Sequence, residues 1–128
     1  MRLLLDTHIA LWAVTGSRHL GDMAERMILE ADDIFVSNAS LWEISIKHAL
    51  GKGGMPVSSA QALEAFARAG YRQLDIKSEH VVRVEGLPPI HRDPFDRLLV
   101  AQALSEPLTL LTRDPTLGKY SDALIRLV

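Results

Sequence analysis

The chain predicts an α/β fold with a short, mainly parallel central sheet. Three observations lead there. Short apolar runs recur along the sequence, stretches of helical periodicity separate them, and capping or turn residues mark most of the junctions. Strands that alternate with helices pair in parallel, and right-handed crossovers would set the helices on both faces of the sheet.

Taken in order, Arg2 to Leu5 reads as a buried strand that runs directly into Asp6, and Thr7 to Val14 as a short helix. Gly16-Ser17-Arg18 breaks that helix, and Leu20 to Glu30 forms another, with Met23 and Met27 in its apolar stripe. Asp33 to Val36 is a second strand rich in β-formers. Ser37-Asn38 supplies N-cap residues for a helix that reaches Leu50, where Gly51 is a natural stop. Gly51 to Pro56 is a loop, Ser58 to Ala69 a helix, Tyr71 to Leu74 a weak strand and Ser78 to Val84 a short helix. The prolines of Leu87-Pro88-Pro89-Ile90 exclude a helix there. Asp93-Pro94 pairs an N-cap with proline at the first helical position, opening a helix through Leu104. Its Leu98 to Leu104 half is apolar nearly all round, as suits burial against a sheet. Leu108 to Leu111 is a central strand and Leu124 to Leu127 a final one.

Composition narrows the function. A chain of 128 residues is expected to be one domain spanning 1–128 with a proper core. Its apolar share of 48% and charged share of 23% are those of an ordinary globular protein. A net charge of −2 offers no global basic field for nucleic acid or an acidic membrane. The absence of cysteine excludes disulfides, zinc–thiolate sites and thiol catalysis. The apolar run before Asp6 is too short for a signal peptide or a membrane span, so a cytoplasmic protein without membrane contact is expected.

In a parallel sheet, sites form outside the carboxyl ends of the strands. Asp6 follows the first strand, Asp114 follows Leu108 to Leu111, Glu43 lies early in the helix after Ile34 to Val36, and Asp96 is in the first turn of the helix leading to Leu108. The topology sends all four acids to one edge. Each has a plainer role as well. Asp6 and Asp114 suit a helix cap or a turn, Glu43 stands four residues before Lys47 as an ion pair would, and Asp93 to Asp96 resembles a capping box. On a helical wheel Glu43 falls at the border of a stripe made by Trp42, Ile46, Ala49 and Leu50. The five histidines are scattered, and His8 and His91 stand out only as neighbours of acids. A carboxylate set without thiols suits Mg²⁺ or Mn²⁺, which activate water and stabilise a leaving oxygen in phosphoryl chemistry.

Leu5-Asp6-Thr7-His8, the run Ser37 to Ile44, the run His91-Arg92-Asp93-Pro94-Phe95-Asp96-Arg97-Leu98-Leu99 continuing to Ala103, and Thr112-Arg113-Asp114 resemble the motifs of PIN-domain nucleases. They are most similar to the VapC-type toxins of prokaryotic toxin–antitoxin pairs, and they span nearly the whole chain in the right order. The resemblance implies a three-layer α/β/α sandwich and a Mg²⁺- or Mn²⁺-dependent endoribonuclease. It places Asp6, Glu43, Asp96 and Asp114 in the acidic, metal-holding quartet, Asp114 as the least direct ligand. Thr7 and Thr112 match hydroxyl positions beside the site, and Asp93 is a cap outside the quartet. Arg92, Arg97 and Arg113 flank the acids and would contact RNA phosphates, or for Arg97 and Arg113 pair with an acid; Lys47, His48 and Lys52 would extend a basic rim. The resemblance also implies a homodimer and a small VapB-like antitoxin whose tail covers the site. Trp12 and Trp42 are expected in the core.

Three other readings compete. A phosphohydrolase of the haloacid dehalogenase type also begins with Asp after its first strand, but its second Asp would fall where His8 stands. A receiver domain would need paired acids after the first strand. A catalytically inactive PIN-like RNA-binding or regulatory protein would be expected to lose one or more of the four acids, all of which are present.

Overall fold

The computed structural model describes residues 1–51 and 54–128. The loop expected over Gly51 to Pro56 therefore includes two residues, Lys52 and Gly53, outside the described set. Five parallel strands form one sheet: β1 (Arg2–Leu5), β2 (Asp33–Ser37), β3 (Arg72–Leu74), β4 (Thr109–Thr112) and β5 (Ile125–Leu127), in the order β3-β2-β1-β4-β5. The helices are α1 (Thr7–Thr15), α2 (Asp22–Glu30), α3 (Asn38–Leu50), α4 (Ser59–Arg68), α5 (Ser78–Glu85), α6 (Pro94–Ser105) and the short α7 (Pro115–Gly118).

Alternation along β1 builds the two sides of the sheet. Leu3 and Leu5 pack with Ile9, Leu11, Ala24, Ile44, Ala62 and Phe66 from α1 to α4. Leu4 points the other way, against Leu99, Val100 and Ala103 of α6, with Leu110, Leu117 and Ile125. Helices thus cover both faces, and the result is the expected α/β/α sandwich, with every strand pair parallel rather than most of them. Among the described residues, no helix is long and apolar enough to cross a membrane.

Two departures from the sequence reading have simple causes. Arg18–Leu20 forms a 3-10 turn, so the second helix begins at Asp22, after Gly21 at φ 79°. Asp114-Pro115 opens α7 because proline is favoured at a first helical position and the Asp114 carboxylate accepts the Thr116 amide.

A buried polar chain joins the layers. The Ser37 hydroxyl caps α3 at the Ala39 amide and lies 2.5 Å from Gln102 Oε1. The Gln102 amide reaches the Asp75 carbonyl and His80 Nδ1, each at 3.3 Å, and His80 Nε2 lies 2.6 Å from Glu106. This network ties the end of β2 to α5 and α6, and so sets α3 and α6 relative to one another.

Candidate metal-binding acidic site

β1 is central, flanked by β2 and β4, so the residue after it sits in the middle of the carboxyl edge. Asp6 occupies that position, 8% exposed. Its amide continues the ladder to the Leu111 carbonyl at 3.1 Å. Oδ1 accepts the Ile9 amide at 2.9 Å, capping α1, and Oδ2 accepts the Thr112 hydroxyl at 2.5 Å from the end of β4. Cap and site are one residue here, since a carboxylate has more acceptor positions than a single cap uses.

Glu43 is 4% exposed, on the face of α3 that also buries Ala39, Ser40 and Ile44. The Thr7 hydroxyl donates to Glu43 Oε1 at 2.7 Å and shares a 2.9 Å bond with the Ser40 hydroxyl. Lys47 Nζ reaches Oε2 at 2.6 Å. The stripe of Trp42, Ile46, Ala49 and Leu50 is exposed, and the buried side of the helix begins at its border, where Glu43 stands. Ala39 and Ser40 on the inner face are small and buried, where the helix packs against β2 and α1. Trp42 is accordingly 57% exposed, edge-on to Phe95 at 5.0 Å, rather than in the core. Trp12 is half-buried between the rings of His8 and His19, with the Arg113 guanidinium 4.9 Å from its ring.

The third part of the site joins the N-termini of α6 and α7. Asp93 Oδ1 accepts the Phe95 and Asp96 amides at 2.8 and 3.1 Å, so Asp93 caps α6 and leaves the Asp96 side chain free of that duty. Asp114 Oδ1 accepts the Thr116 amide at 2.9 Å, while the Asp114 amide donates to the Thr112 hydroxyl at 3.1 Å. Between the two acids stands His91, with Nε2 2.8 Å from Asp114 Oδ2 and 3.4 Å from Asp96 Oδ2. Among the described residues at this edge, the ligand atoms that come within 4.8 Å of one another are those of His91, Asp96 and Asp114. Asp6 and Glu43 stand outside that tightest group, yet their charges act on Asp96 and on each other.

The electrostatics are those of acids crowded together at a half-buried edge. Burial pushes the Asp6 carboxyl above the usual carboxylate range, against the lowering pull of the Thr112 and Ile9 hydrogen bonds. Burial, then the charge of Asp93, push Asp96 up to about 7, with Glu43 and Asp6 adding and His91 opposing. For Asp114 burial is the largest single influence and raises it, but the bonds from His91 and the Thr116 amide outweigh that and hold it below the usual range. The hydrogen bond to Glu43 raises Lys47 above its ordinary value, against partial burial. Carboxylate and hydroxyl oxygens that are costly to ionise together make a donor set suited to a hard divalent cation.

The arginines take positions that spacing did not show. Arg97 donates to the carbonyls of Val84 and Pro88 at 3.1 Å and of His91 at 3.4 Å, and to the Tyr120 hydroxyl at 3.2 Å. It clamps the chain between α5 and α6 and pairs with no acid among the described residues. Arg113 donates to the carbonyls of His19, Leu20 and Val128. Arg92 is exposed next to His91. Lys47 pairs with the buried Glu43, His48 lies 3.1 Å from the Met55 carbonyl, and Lys52 falls outside the described residues. The sequence marks His91 only as a neighbour of acids, through its adjacency to the Asp93-Pro94-Phe95-Asp96 run, and gives it no role.

Fold and site together define a small α/β/α domain with an acid-lined edge at the carboxyl ends of its central strands. Residues 3–123 match the family model of the PIN domain, and the chain belongs to that family. This sets aside the phosphohydrolase and receiver readings. No curated protein sequence matches. Among solved structures the chain is similar to VapBC2 from Rickettsia felis bound to a promoter DNA fragment, with 17% identity, a TM-score of 0.68, and coverage of 99% of this chain and 98% of that one. It is also similar to DNA-bound VapBC from Salmonella typhimurium, at 18% identity, a TM-score of 0.67 and coverage of 98% and 97%. VapC20 from Mycobacterium tuberculosis, described as a Sarcin-Ricin loop cleaving toxin, matches at 14% identity with a TM-score of 0.58, covering 84% and 85%. At these identities the likeness is one of fold.

Proposed function

We propose that the protein is a divalent-metal-dependent endoribonuclease and the toxin of a toxin–antitoxin pair. The observation that carries this reading is the convergence of Asp6, Glu43, Asp96 and Asp114 on one sheet edge, in a chain of the PIN family. Asp6 and Asp96 would hold Mg²⁺ or Mn²⁺ most directly, with Glu43 beside them and Asp114 acting through water. Bound there, such a cation would supply positive charge that lowers the cost of ionising water and offsets charge on a leaving oxygen. Thr112 and Thr7 orient Asp6 and Glu43 through their hydroxyls, so that these carboxylates present defined oxygens to the cleft. Arg92, exposed beside His91, would meet an RNA phosphate, while Arg97 and Arg113 would act on the scaffold that carries the acids.

Relatives solved as VapBC complexes support a small VapB-like antitoxin as partner, and a homodimer within a single-domain, cytoplasmic protein completes the proposal. The test is RNA cleavage by purified protein with Mn²⁺ or EDTA, beside Asp6→Asn and Asp96→Asn. Metal-dependent cleavage lost in both variants is the expected result. Cleavage that survives both substitutions, or activity on a phosphomonoester and none on RNA, refutes the proposal.

A further inference from the structure

We propose that His91 is a positioning residue of this site, locked as an Nε2–H donor that orients Asp114 and does not itself ligate a cation. The argument begins with its other ring nitrogen. Nδ1 lies 3.0 Å from the Asp93 backbone amide, a group that can only donate. Nδ1 is therefore the acceptor, and in the neutral ring the proton resides on Nε2. That N–H faces Asp114 Oδ2 at 2.8 Å and Asp96 Oδ2 at 3.4 Å.

The spacing of His91, Asp96 and Asp114 resembles a mixed histidine–carboxylate metal site. Ligation through Nε2, however, needs a lone pair there and moves the proton to Nδ1. The Asp93 amide would then oppose another N–H, and one hydrogen bond at the cap of α6 would be lost. The backbone that carries the ring is itself held, since the Tyr120 hydroxyl accepts the His91 amide at 2.8 Å and Arg97 donates to the His91 carbonyl at 3.4 Å.

With Nε2–H on one oxygen and the Thr116 amide on the other, both Asp114 oxygens carry a donor. Asp114 is thus set in one orientation before any cation arrives. The cap of α6, the imidazole and the cap of α7 form a single chain of hydrogen bonds, Asp93 to His91 to Asp114. Donors behind the carboxylates of a metal site commonly change metal affinity or activity by about 10–100-fold when removed. The purpose assigned to the acids rests on the nuclease reading; the ring geometry does not.

Long-range ¹H–¹⁵N correlation on the metal-free protein near pH 8 reads the tautomer directly. The expected result is an Nε2–H ring at His91 that keeps this tautomer when Mg²⁺ is added. An Nδ1–H ring, or a switch to it with Mg²⁺, overturns the proposal. His91→Phe keeps a flat ring without a donor, and His91→Gln returns an N–H near the Nε2 position. Expected are a loss of about tenfold or more in kcat and in Mg²⁺ affinity for the Phe variant, little change in KM for RNA, and substantial recovery in the Gln variant. A Phe variant equal to the parent, or a Gln variant no better than Phe, overturns it. Should the protein cut no RNA, the tautomer and calorimetric Mg²⁺ affinity still decide the role of His91, and the nuclease reading fails separately.

Discussion

Thr112→Val removes one hydroxyl from the centre of the site and almost no volume. Thr112 is fully buried at the end of β4, and its hydroxyl donates to Asp6 Oδ2 at 2.5 Å while accepting the Asp114 amide at 3.1 Å. A hydrogen bond to a charged group contributes about 1.5–3 kcal/mol. The orphaned Asp114 amide adds little, since the Asp114 side chain is 37% exposed and water can replace the lost acceptor. The expected loss near pH 8 is therefore about 2 kcal/mol, or roughly 5–10 °C in Tm for a domain of this size. Its pH dependence gives the sharper test. The Thr112 bond lowers an Asp6 carboxyl that burial has raised above 3.8, so the variant raises it further. The added cost is in force above the variant's folded-state value and is gone once pH falls below the parent's, where Asp6 is protonated in both folded proteins. Urea unfolding of the metal-free proteins near pH 8 and pH 4 measures both numbers. Thr112→Ser, which keeps the hydroxyl, should retain most of the stability. A cost that is equal at both pH values, or a Ser variant as unstable as Val, would refute the claim that the bond acts through the ionised Asp6.

Two further outcomes follow from the same geometry. Asp96 has a folded-state value of about 7 against 3.8 for a free carboxyl, so its contribution favours the fold while protonated and is lost as pH rises through that window. Scanning calorimetry in EDTA should show Asp96→Asn melting above the parent near pH 8, with the advantage gone near pH 4 and reversed by millimolar Mg²⁺, which binds the parent's native state better; a parent that melts lower at every pH runs against this. Arg97→Met deletes the donors that hold the Val84, Pro88 and His91 carbonyls, and should cost about 1–3 kcal/mol. Hydrogen exchange should locate that loss in faster exchange at the His91 and Leu87 amides, and unchanged protection there would count against the clamp.

The sheet was legible because its signal is local. Three leucines ahead of Asp6, or Leu110 and Leu111 inside β4, can be satisfied only by burial, and the alternation with helices then implies parallel pairing. The orientation of α3 was not legible from hydrophobicity, because Trp42, Ile46 and Leu50 are the larger apolar residues and still face outward. Its inner face instead carries the small, buried Ala39 and Ser40 and brings Glu43 to Thr7, a contact between residues 36 apart in sequence. The arginines failed for a related reason. Their proximity to acids in sequence suggested charge pairing, whereas Arg97 and Arg113 spend their donors on uncharged backbone carbonyls.

The choice between cap and site residue that the sequence leaves open for Asp6, Asp96 and Asp114 is not an exclusive one once their oxygens are followed. Asp6 and Asp114 each give Oδ1 to a helix N-terminus, and in each Oδ2 faces another side chain: Thr112 for Asp6, His91 for Asp114. A cap bond therefore does not compete with a role at the site; it removes a rotational freedom and aims the remaining lone pairs. Asp93 shows the division of labour from the other side. By taking the Phe95 and Asp96 amides itself, it leaves Asp96 without a capping bond, and Asp96 is the acid whose proton is held to about pH 7 by burial and by its neighbours' charge. A parallel sheet delivers helix N-termini to the same edge at which its strands end, so residues chosen to cap those helices arrive already clustered. An acidic site at this edge asks only that one carboxylate, Asp96, be spared the capping duty and that hydroxyls and an imidazole hold the others in place.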